Sequence, residues 1–330
     1  MGLFDLIFGG GRKPPAEVPG KGPAPAGGGP PKAHHPADLG RLAQRLHVRK
    51  RKLAYLLFKA KPLYTTFTIP KHSGDPRVLS APIPLLKQVQ RRILHTVFAH
   101  QKFSPACHGF RAKRSILTNA RPHVGRPIVI RLDLKDFFPT INYGRVRELF
   151  REFNVEGMEA AWLARLCTHE GRLPQGAPTS PAIANAVCFQ MDARLLGLAR
   201  SVKARYTRYA DDLTFSGPPE IVKILPLVRR IVKESGFEVS AKKTFIQRRG
   251  SCQKVTGVVV NDRPNVPRWH RRMLRAIIHN SVKNGPQSQN RKGNPRFREL
   301  VMGHIAFVSM VNPAAGKRLS ADAAQIRWEG

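Results

Sequence analysis

The stretch that decides the fold is RYTRYADDLTFS, residues 205–216. Runs rich in aromatic and β-branched residues flank Asp211 and Asp212, which predicts a hairpin whose bend carries both carboxylates. Two strings precede it: RLDLKDFF at residues 131–138 and LPQGAPTSPAIAN at residues 173–185. A buried pair of carboxylates is unfavourable unless a cation neutralises it. The hairpin therefore predicts a metal site.

The charge of the chain indicates the class of its partner. Lys and Arg total 57 against 21 Asp and Glu, which gives a formal net charge of +36 over 330 residues. The basic residues are spread along the chain, as at residues 49–52, 242–249 and 268–272. Because a folded domain with such an excess needs a polyanion to neutralise it, we expect a long electropositive channel for nucleic acid. The alternative is a basic surface that meets only solvent.

Composition limits the class further. With 42% hydrophobic residues the chain can bury a sizeable core in two or three subdomains. The four cysteines are far apart and form no CxxC pair, which favours reduced core residues of a cytoplasmic protein over a disulfide framework or a zinc site. They are Cys107, Cys167, Cys188 and Cys252. No apolar run approaches the roughly 20 residues of a membrane span, so no membrane partner is expected.

The patterns along the chain predict an α+β fold. Residues 1–37 are rich in Gly and Pro and are interpreted as a flexible extension, with an apolar tip that is either a partner-docking peptide or a disordered start. A helix is expected from Asp38 to Leu57. Pro226 is expected to split or kink a helix at residues 220–234. Further elements are predicted as a hairpin at 64–82, helices at 84–100, 144–153 and 180–200, strands at 127–134 and 255–260, and helices from 267 onward.

Three carboxylates in this pattern suit phosphoryl transfer. That reaction uses two divalent ions roughly 4 Å apart, one activating the attacking hydroxyl and one stabilising the leaving pyrophosphate. Asp133 ends a predicted strand, and Asp211 and Asp212 lie in the bend of the later hairpin. Rigid strands can bring all three to one point. An isolated Asp-Asp pair is more often a solvated turn, but the strand residues before it and the DLKDFF string favour the metal site.

These strings together resemble the reverse transcriptases. YADD is similar to the signature tetrad of that family, DLKDFF to its first palm motif, and LPQGAPTSPAIAN to its Q-G-x-x-x-S-P segment. TIPKHSGDPRVLSAP at residues 68–82 looks like the fingers hairpin, and GFEVSAKKT at residues 236–244 like the segment after the palm. The resemblance implies a right-hand polymerase fold, with fingers and palm over residues 38–261 and a mostly helical thumb over residues 262–330, behind the disordered extension.

The resemblance also implies roles for individual residues. Asp133, Asp211 and Asp212 would be the catalytic carboxylates that bind two Mg²⁺ ions, with Mn²⁺ as an alternative. Phe138 resembles the steric gate that blocks a ribose 2′-hydroxyl; otherwise it is a core residue. The other expected contacts to the incoming dNTP are Gln175, Lys71 and Arg77, with an ordinary surface lysine as the alternative for Lys71.

Three shorter strings look like the marks of retron reverse transcriptases: NARPH at residues 119–123, VTGVVVN at residues 255–261 and HGF at residues 108–110. This likeness implies a bacterial, cytoplasmic enzyme that starts from an internal guanosine 2′-hydroxyl of a cognate noncoding RNA and makes branched, RNA-linked DNA. It also implies anti-phage defence with a separate effector protein. The expected RNA contacts are Asn119, His123, Val255, Thr256, Gly257, Arg268, Arg271 and Arg272.

Other interpretations stay open at this point. The chain can be another bacterial reverse transcriptase, of the group II intron or diversity-generating type. It can also be a non-catalytic RNA-binding scaffold, although three intact carboxylates disfavour that. Thr256 and Gly257 can belong to an ordinary strand with a bulge instead of an RNA contact.

Overall fold

The computed structural model describes residues 36–58, 62–71, 74–155 and 157–328. Residues 1–35, which make up most of the predicted flexible extension and include its apolar tip, lie outside this range. The first helix begins at Pro36, two positions before the predicted start at Asp38. No helix in the described part of the chain is long and apolar enough to cross a membrane.

The described chain contains both helices and antiparallel strands, as the sequence predicts. In chain order the elements are α1 Pro36–Arg45, α2 Lys50–Phe58, β1 Tyr64–Lys71, β2 Gly74–Pro82, α3 Pro84–Thr96, α4 Ile116–Ala120, β3 Ile128–Asp133, α5 Phe137–Thr140, α6 Tyr143–Glu152, α7 Gly157–Cys167, α8 Ser180–Val187, α9 Phe189–Ser201, β4 Arg205–Tyr209, β5 Asp212–Gly217, α10 Leu225–Glu234, β6 Phe245–Arg248, β7 Lys254–Val255, β8 Val258–Val259, α11 Arg268–Asn284, α12 Phe297–Val311 and α13 Pro313–Ala323. Short 3₁₀ segments separate some of them.

One compact unit comprises residues 105–135 together with the described chain from Met191 onward. Its centre is a four-stranded sheet in the order β4-β5-β3-β6, in which every neighbouring pair is antiparallel. The apolar side chains of β3 and β5 are fully buried, Leu132 and Leu213 among them. This burial fixes the register of the two strands, because a slip by one residue would turn their apolar side chains to the other face.

The same unit contains the C-terminal helices. Leu274 and Ile278 of α11 share one apolar core with Ile305 and Val308 of α12 and with the β7–β8 hairpin. The spacing of these residues, four apart on α11 and three apart on α12, is that of one helix face. The mostly helical C-terminal region predicted from residue 267 onward is confirmed.

The second unit comprises the described residues up to Ser104 and Asp136–Gln190. Its β1–β2 hairpin pairs Tyr64 with Pro82 and Ile69 with Arg77. The buried amide of Gln90 on α3 donates to the Tyr64 hydroxyl and to the Leu166 carbonyl on α7, each at 2.8 Å. These bonds join the hairpin to helices α3 and α7 and so restrict its position relative to them.

The structure differs from the sequence prediction at several elements. The single helix expected to Leu57 is interrupted after Arg45, where His47 adopts a left-handed φ of 51°. The expected helix at 180–200 is divided into α8 and α9. The predicted split at Pro226 is confirmed, because a 3₁₀ segment precedes α10. Three cysteines are buried as expected, but Cys252 is exposed.

The prediction of a single strand at residues 255–260 is wrong. The chain forms a tight hairpin there, in which Lys254 pairs with Val259 and Val255 with Val258. Thr256 and Gly257 make the connection with φ angles of 45° and 85°, as a type I′ turn requires. The run of β-branched residues at 255–260 gave no signal for this turn, because threonine rarely adopts a positive φ.

Candidate active site

The strands place the three predicted carboxylates at one end of the sheet. Asp133 is the last residue of β3 and lies directly opposite Asp212, the first residue of β5. Asp211 occupies the turn before β5, and its carbonyl accepts a hydrogen bond of 3.0 Å from the backbone of Leu134. Because β3 and β5 are paired and their apolar side chains are buried, the backbone positions from which the three carboxylates project are fixed.

The electrostatics of this cluster favour a positive ion. Burial, together with the neighbouring charges of Asp212 and Asp133, raises the pKa of Asp211 to about 7. Burial also raises the pKa of Asp212, against the lowering effect of Arg131, whose guanidinium lies 3.3 Å from the Asp212 carboxylate. A carboxyl group with a raised pKa keeps its charge at neutral pH more readily when a cation is near it.

Lys243 supplies one such cation. Its ammonium group donates to the Asp133 carboxylate at 2.9 Å, and this hydrogen bond raises the pKa of Lys243. Among the residues that the structure describes, no three His, Cys, Asp or Glu side chains converge closely enough to hold one metal ion. The donor set still fits Mg²⁺, since carboxylate oxygens are the ligands that this ion prefers. Lys243 and a metal ion would compete for the Asp133 carboxylate.

A buried ion pair supports the catalytic turn. Arg208 on β4 and Asp192 on α9 are both fully inaccessible, and the guanidinium makes two bonds of 2.9 Å to the carboxylate. The remaining terminal nitrogen of Arg208 donates to the carbonyl of Ala210 at 3.1 Å. Ala210 has a left-handed φ of 55° immediately before Asp211. Arg208 therefore holds a strained backbone at the point from which the carboxylates project.

The HGF string packs against the same turn. His108 donates its backbone N–H to the Arg208 carbonyl at 2.7 Å, so this segment covers the outer edge of β4. A Cβ atom added to Gly109 would lie 2.7 Å from the backbone nitrogen of Ala210, a distance that no side chain tolerates. Glycine is therefore required at position 109 by the close approach of two backbones.

The NARPH string does not present its histidine to solvent. His123 is fully buried, and its ring nitrogens lie 2.7 Å from the Ser216 hydroxyl and 2.8 Å from the Thr207 hydroxyl. Burial lowers the pKa of His123 to about 3, so the ring is neutral at physiological pH. In this structure both ring nitrogens are bonded within the protein, and the direct hydrogen bond from His123 to RNA stays a prediction. The residue joins the NARPH segment to β4 and β5.

Asn119 and the VTG turn are in direct contact. The Asn119 side chain is also fully buried and donates to the Thr256 hydroxyl at 3.4 Å, while that hydroxyl donates to the Ile116 carbonyl at 3.2 Å. These bonds stabilise the positive φ of Thr256. Neither the Asn119 nor the Val255 side chain has any exposure in this structure, and their expected RNA contacts stay predictions. Of these VTG residues only Gly257 is exposed, with Thr256 partly so.

The expected dNTP contacts all belong to the second unit. Arg77 is half-buried on β2, and Lys71 ends β1, where only its backbone is described. Gln175 accepts a backbone hydrogen bond of 2.8 Å from Ser80. Phe138 on α5 is partly exposed, with its ring edge-on to Phe137. The roles of these side chains stay predictions.

The expected thumb contacts lie on α11. Arg268 and Arg272 are exposed, whereas Arg271 is partly buried and donates to the Val266 carbonyl at 3.3 Å. The sequence prediction missed Trp269, which is 63% exposed between these arginines. The aromatic residue inside RWHRR, residues 268–272, is a signal that the charge pattern alone does not carry.

Comparisons with known proteins agree with this geometry. A family model described as reverse transcriptase (RNA-dependent DNA polymerase) matches residues 69–262, more than half of the chain. The chain therefore belongs to the reverse transcriptase family. Membership confirms the predicted α+β, right-hand polymerase fold, because the matched residues include both the hairpin with Asp211 and the strand with Asp133.

Three curated relatives identify the type within the family. The Retron Mx65 reverse transcriptase of Myxococcus xanthus is 43% identical over 78% of this chain and 63% of its own. The Retron Mx162 reverse transcriptase of the same organism is 38% identical over 86% of this chain and 66% of its own. The Retron Ec86 reverse transcriptase of Escherichia coli is 32% identical over 86% of this chain and 87% of its own. The chain is thus of the retron type, and it spans just under two thirds of the two Myxococcus relatives.

Solved structures show a more distant likeness. Telomerase from Candida albicans in complex with a telomeric RNA fragment has a TM-score of 0.47 at 11% identity, covering 81% of this chain and 58% of that one. A foamy viral protease-reverse transcriptase in complex with DNA has a TM-score of 0.40 at 18% identity, covering 79% and 44%. These values add nothing to the family assignment.

Proposed function

We propose that the chain is an RNA-directed DNA polymerase that copies a structured noncoding RNA into DNA. One observation carries the proposal: Asp133 and Asp212 lie opposite each other on buried antiparallel strands, with Asp211 beside them. The family membership of the chain supports the reaction type. A scaffold without catalysis has no need for three carboxylates whose burial and mutual repulsion raise the pKa of Asp211.

Each part of the site has a proposed task in this reaction. Asp133, Asp211 and Asp212 would hold two Mg²⁺ ions, or Mn²⁺, which when bound activate the attacking hydroxyl and neutralise the leaving pyrophosphate. Phe138 is proposed to exclude a ribose 2′-hydroxyl by contact. The residues proposed to bind the dNTP triphosphate and sugar are Lys71, Arg77 and Gln175. Arg131 keeps the Asp212 carboxylate in place before the nucleotide arrives.

The retron-type relatives support a more specific substrate. We expect synthesis to begin at the 2′-hydroxyl of an internal guanosine in a cognate RNA and to yield branched DNA joined to that RNA. An internal hydroxyl has no free end to guide it, so the protein must place the folded RNA, which is positioning catalysis. By the same likeness, the RNA–DNA product acts with a separate effector protein in anti-phage defence in the bacterial cytoplasm.

The buried positions of Asn119 and His123 change the task proposed for NARPH. His123 is bonded to strands β4 and β5, and Asn119 is bonded to Thr256 in the VTG turn. NARPH is therefore proposed to fix the VTG turn relative to the strands that carry the carboxylates. The turn itself offers Gly257, where the missing side chain allows an RNA backbone to come close.

Removing two carboxylates tests the reaction. The double variant Asp211→Asn with Asp212→Asn should abolish DNA synthesis while RNA binding persists, because affinity comes mainly from Lys and Arg contacts to phosphate. Asp262→Asn is the matched control, since Asp262 is an exposed aspartate paired with Arg249. Primer extension and RNA binding are measured on one preparation. Polymerisation by the double variant would contradict the assignment.

Sequencing the DNA that the protein makes in cells tests the retron substrate. Branched DNA linked to an internal guanosine of one RNA is expected. Linear DNA copied from many templates would instead indicate an enzyme of the group II intron or diversity-generating type, while leaving the polymerase assignment intact.

A further inference from the structure

We propose that Trp269 is a stacking platform for an unpaired base of the bound RNA, which gives the α11 surface a base-contacting element among its phosphate contacts. The proposal rests on RNA being the ligand of this chain. The starting observation is that Trp269 is 63% exposed, the largest exposed fraction among the large hydrophobic side chains of the described residues. An indole left in water is unfavourable unless a partner covers it.

The Trp269 indole is held in place by the ring of the next residue, His270. The Trp269 ring stacks on His270 with centroids 5.3 Å apart and planes 22° apart, and His270 stacks in turn on Phe307 at 5.8 Å and 19°. His270 is 5% exposed, and its Nε2 lies 3.0 Å from Nδ1 of His304. One face of Trp269 is thus fixed against a buried ring. A pre-oriented ring loses little conformational freedom when it binds.

The surroundings of Trp269 specify a polyanion. Arg268 and Arg272 are exposed beside it, and Met273, one turn further, is 37% exposed. Residues three and four apart share a helix face, so Trp269, Arg272 and Met273 form one surface. No acidic residue occurs anywhere in α11. A protein partner with an apolar patch would leave these arginines without counter-charges, whereas RNA supplies phosphates beside its bases.

The combination favours an unpaired base over a paired duplex. Bases in loops and bulges can leave their stack and lie on aromatic rings, whereas bases in an A-form duplex present only their edges. Stacking of this kind tolerates any base, because every base has a π face. Trp269 therefore contributes affinity for loops or bulges of a structured RNA, and the arginines contribute affinity that does not depend on base pairing.

The test compares two hairpin RNAs with the same stem and a six-nucleotide loop, one with bases in the loop and one with abasic sugars. The wild-type protein should bind the base-bearing loop about five- to 150-fold more tightly, the range that one stacked base supports. Trp269→Ala should lose that preference and bind both hairpins alike. Trp269→Phe should restore part of it. Because Trp269 is exposed, neither change threatens the core.

Salt dependence separates stacking from phosphate contact. Trp269→Ala should leave the slope of log K against log salt unchanged, whereas Arg272→Ala should lower its magnitude by about 0.7 to 0.9. Met310→Ala is the control for loss of an exposed apolar side chain on another helix. Base-bearing RNA should also quench tryptophan fluorescence in the wild type more than in Trp269→Phe.

The outcomes are distinguishable. Equal loss of affinity for both hairpins in Trp269→Ala, or none for either, would overturn the stacking proposal while RNA binding stands. If the wild-type protein binds neither hairpin with any salt dependence, then the proposed RNA ligand itself is wrong. Loss of both the loop preference and the quenching in Trp269→Ala, with partial recovery of the loop preference alone in Trp269→Phe, supports the platform.

Discussion

Replacing the buried Arg208–Asp192 ion pair separates its contribution to stability from its effect on the catalytic turn. Arg208→Met alone leaves Asp192 charged, buried and unpaired, which costs about 3–5 kcal/mol. For a chain of 330 residues that loss lowers the Tm by about 4–7 °C. A triple variant with Arg208→Met, Asp192→Leu and Tyr206→Phe removes the ion pair together with the Tyr206 hydroxyl, which also bonds Asp192.

The triple variant should regain stability but not activity. Apolar replacement of a complete buried ion pair is often neutral or stabilising, so its Tm should return to near that of the wild type. The hydrogen bond from Arg208 to the Ala210 carbonyl is still missing, however. A bond from a charged donor contributes about 1.5–3 kcal/mol. If that energy holds the turn that places Asp211 and Asp212, then turnover should fall about ten- to a hundredfold.

The assay is extension of a DNA primer annealed to a plain RNA template, with turnover and the KM for dNTP determined separately, alongside thermal melting. We expect turnover to fall in both variants, the Tm to fall only in Arg208→Met, and the KM for dNTP to change little. Mn²⁺ binding, followed by its paramagnetic signal, should weaken in the triple variant. A triple variant that melts and polymerises like the wild type would show that Arg208 serves packing alone and would refute the reasoning.

Three further predictions concern Phe138, Asp211 and Thr256. Phe138→Ala should raise the ratio of ribonucleotide to deoxyribonucleotide incorporation, and an unchanged ratio means that Phe138 is not the gate. In metal-free buffer the raised pKa of Asp211, about 7, means that between about pH 4 and pH 7 the folded state holds a proton which the unfolded state has released, so stability falls as pH rises. The difference in Tm between Asp211→Asn and the wild type should therefore grow over that pH range. A constant difference would contradict the raised pKa. Thr256→Val removes the hydroxyl that bonds Ile116, so initiation on the cognate RNA should fall about tenfold while extension of an annealed primer persists; equal losses in both assays would mean that the turn is only structural.

Local patterns were enough to predict the carboxylate site. The strand containing Asp133 and the hairpin containing Asp211 and Asp212 are short segments whose β-branched residues and bend are visible within a few positions. Their pairing follows from the antiparallel sheet that such segments form. The polymerase fold was predicted from motif order, because no local pattern specifies how separate segments assemble.

The roles of buried polar residues could not be predicted in this way. His123 is polar and lies in a loop-like string, yet its environment is set by Ser216 and Thr207, which are distant in sequence. The ion pair between Arg208 and Asp192 is also long-range. Hydrogen-bond partners such as these are decided by tertiary packing, and a sequence pattern carries only the residue type.

If Asp133 binds a metal ion as proposed, its ion pair with Lys243 makes loading a competition between two cations and not a simple addition. A divalent ion that displaced the ammonium group would raise the local charge by less than its own full charge. This lowers the electrostatic penalty of gathering cations inside a strongly basic protein. It also makes loading sensitive to ionic strength, since the lysine side chain is 61% exposed and screened by salt. Moderate salt should therefore weaken the attraction of Asp133 for Lys243, and it also weakens the attraction of the carboxylates for a divalent ion and of the protein for RNA.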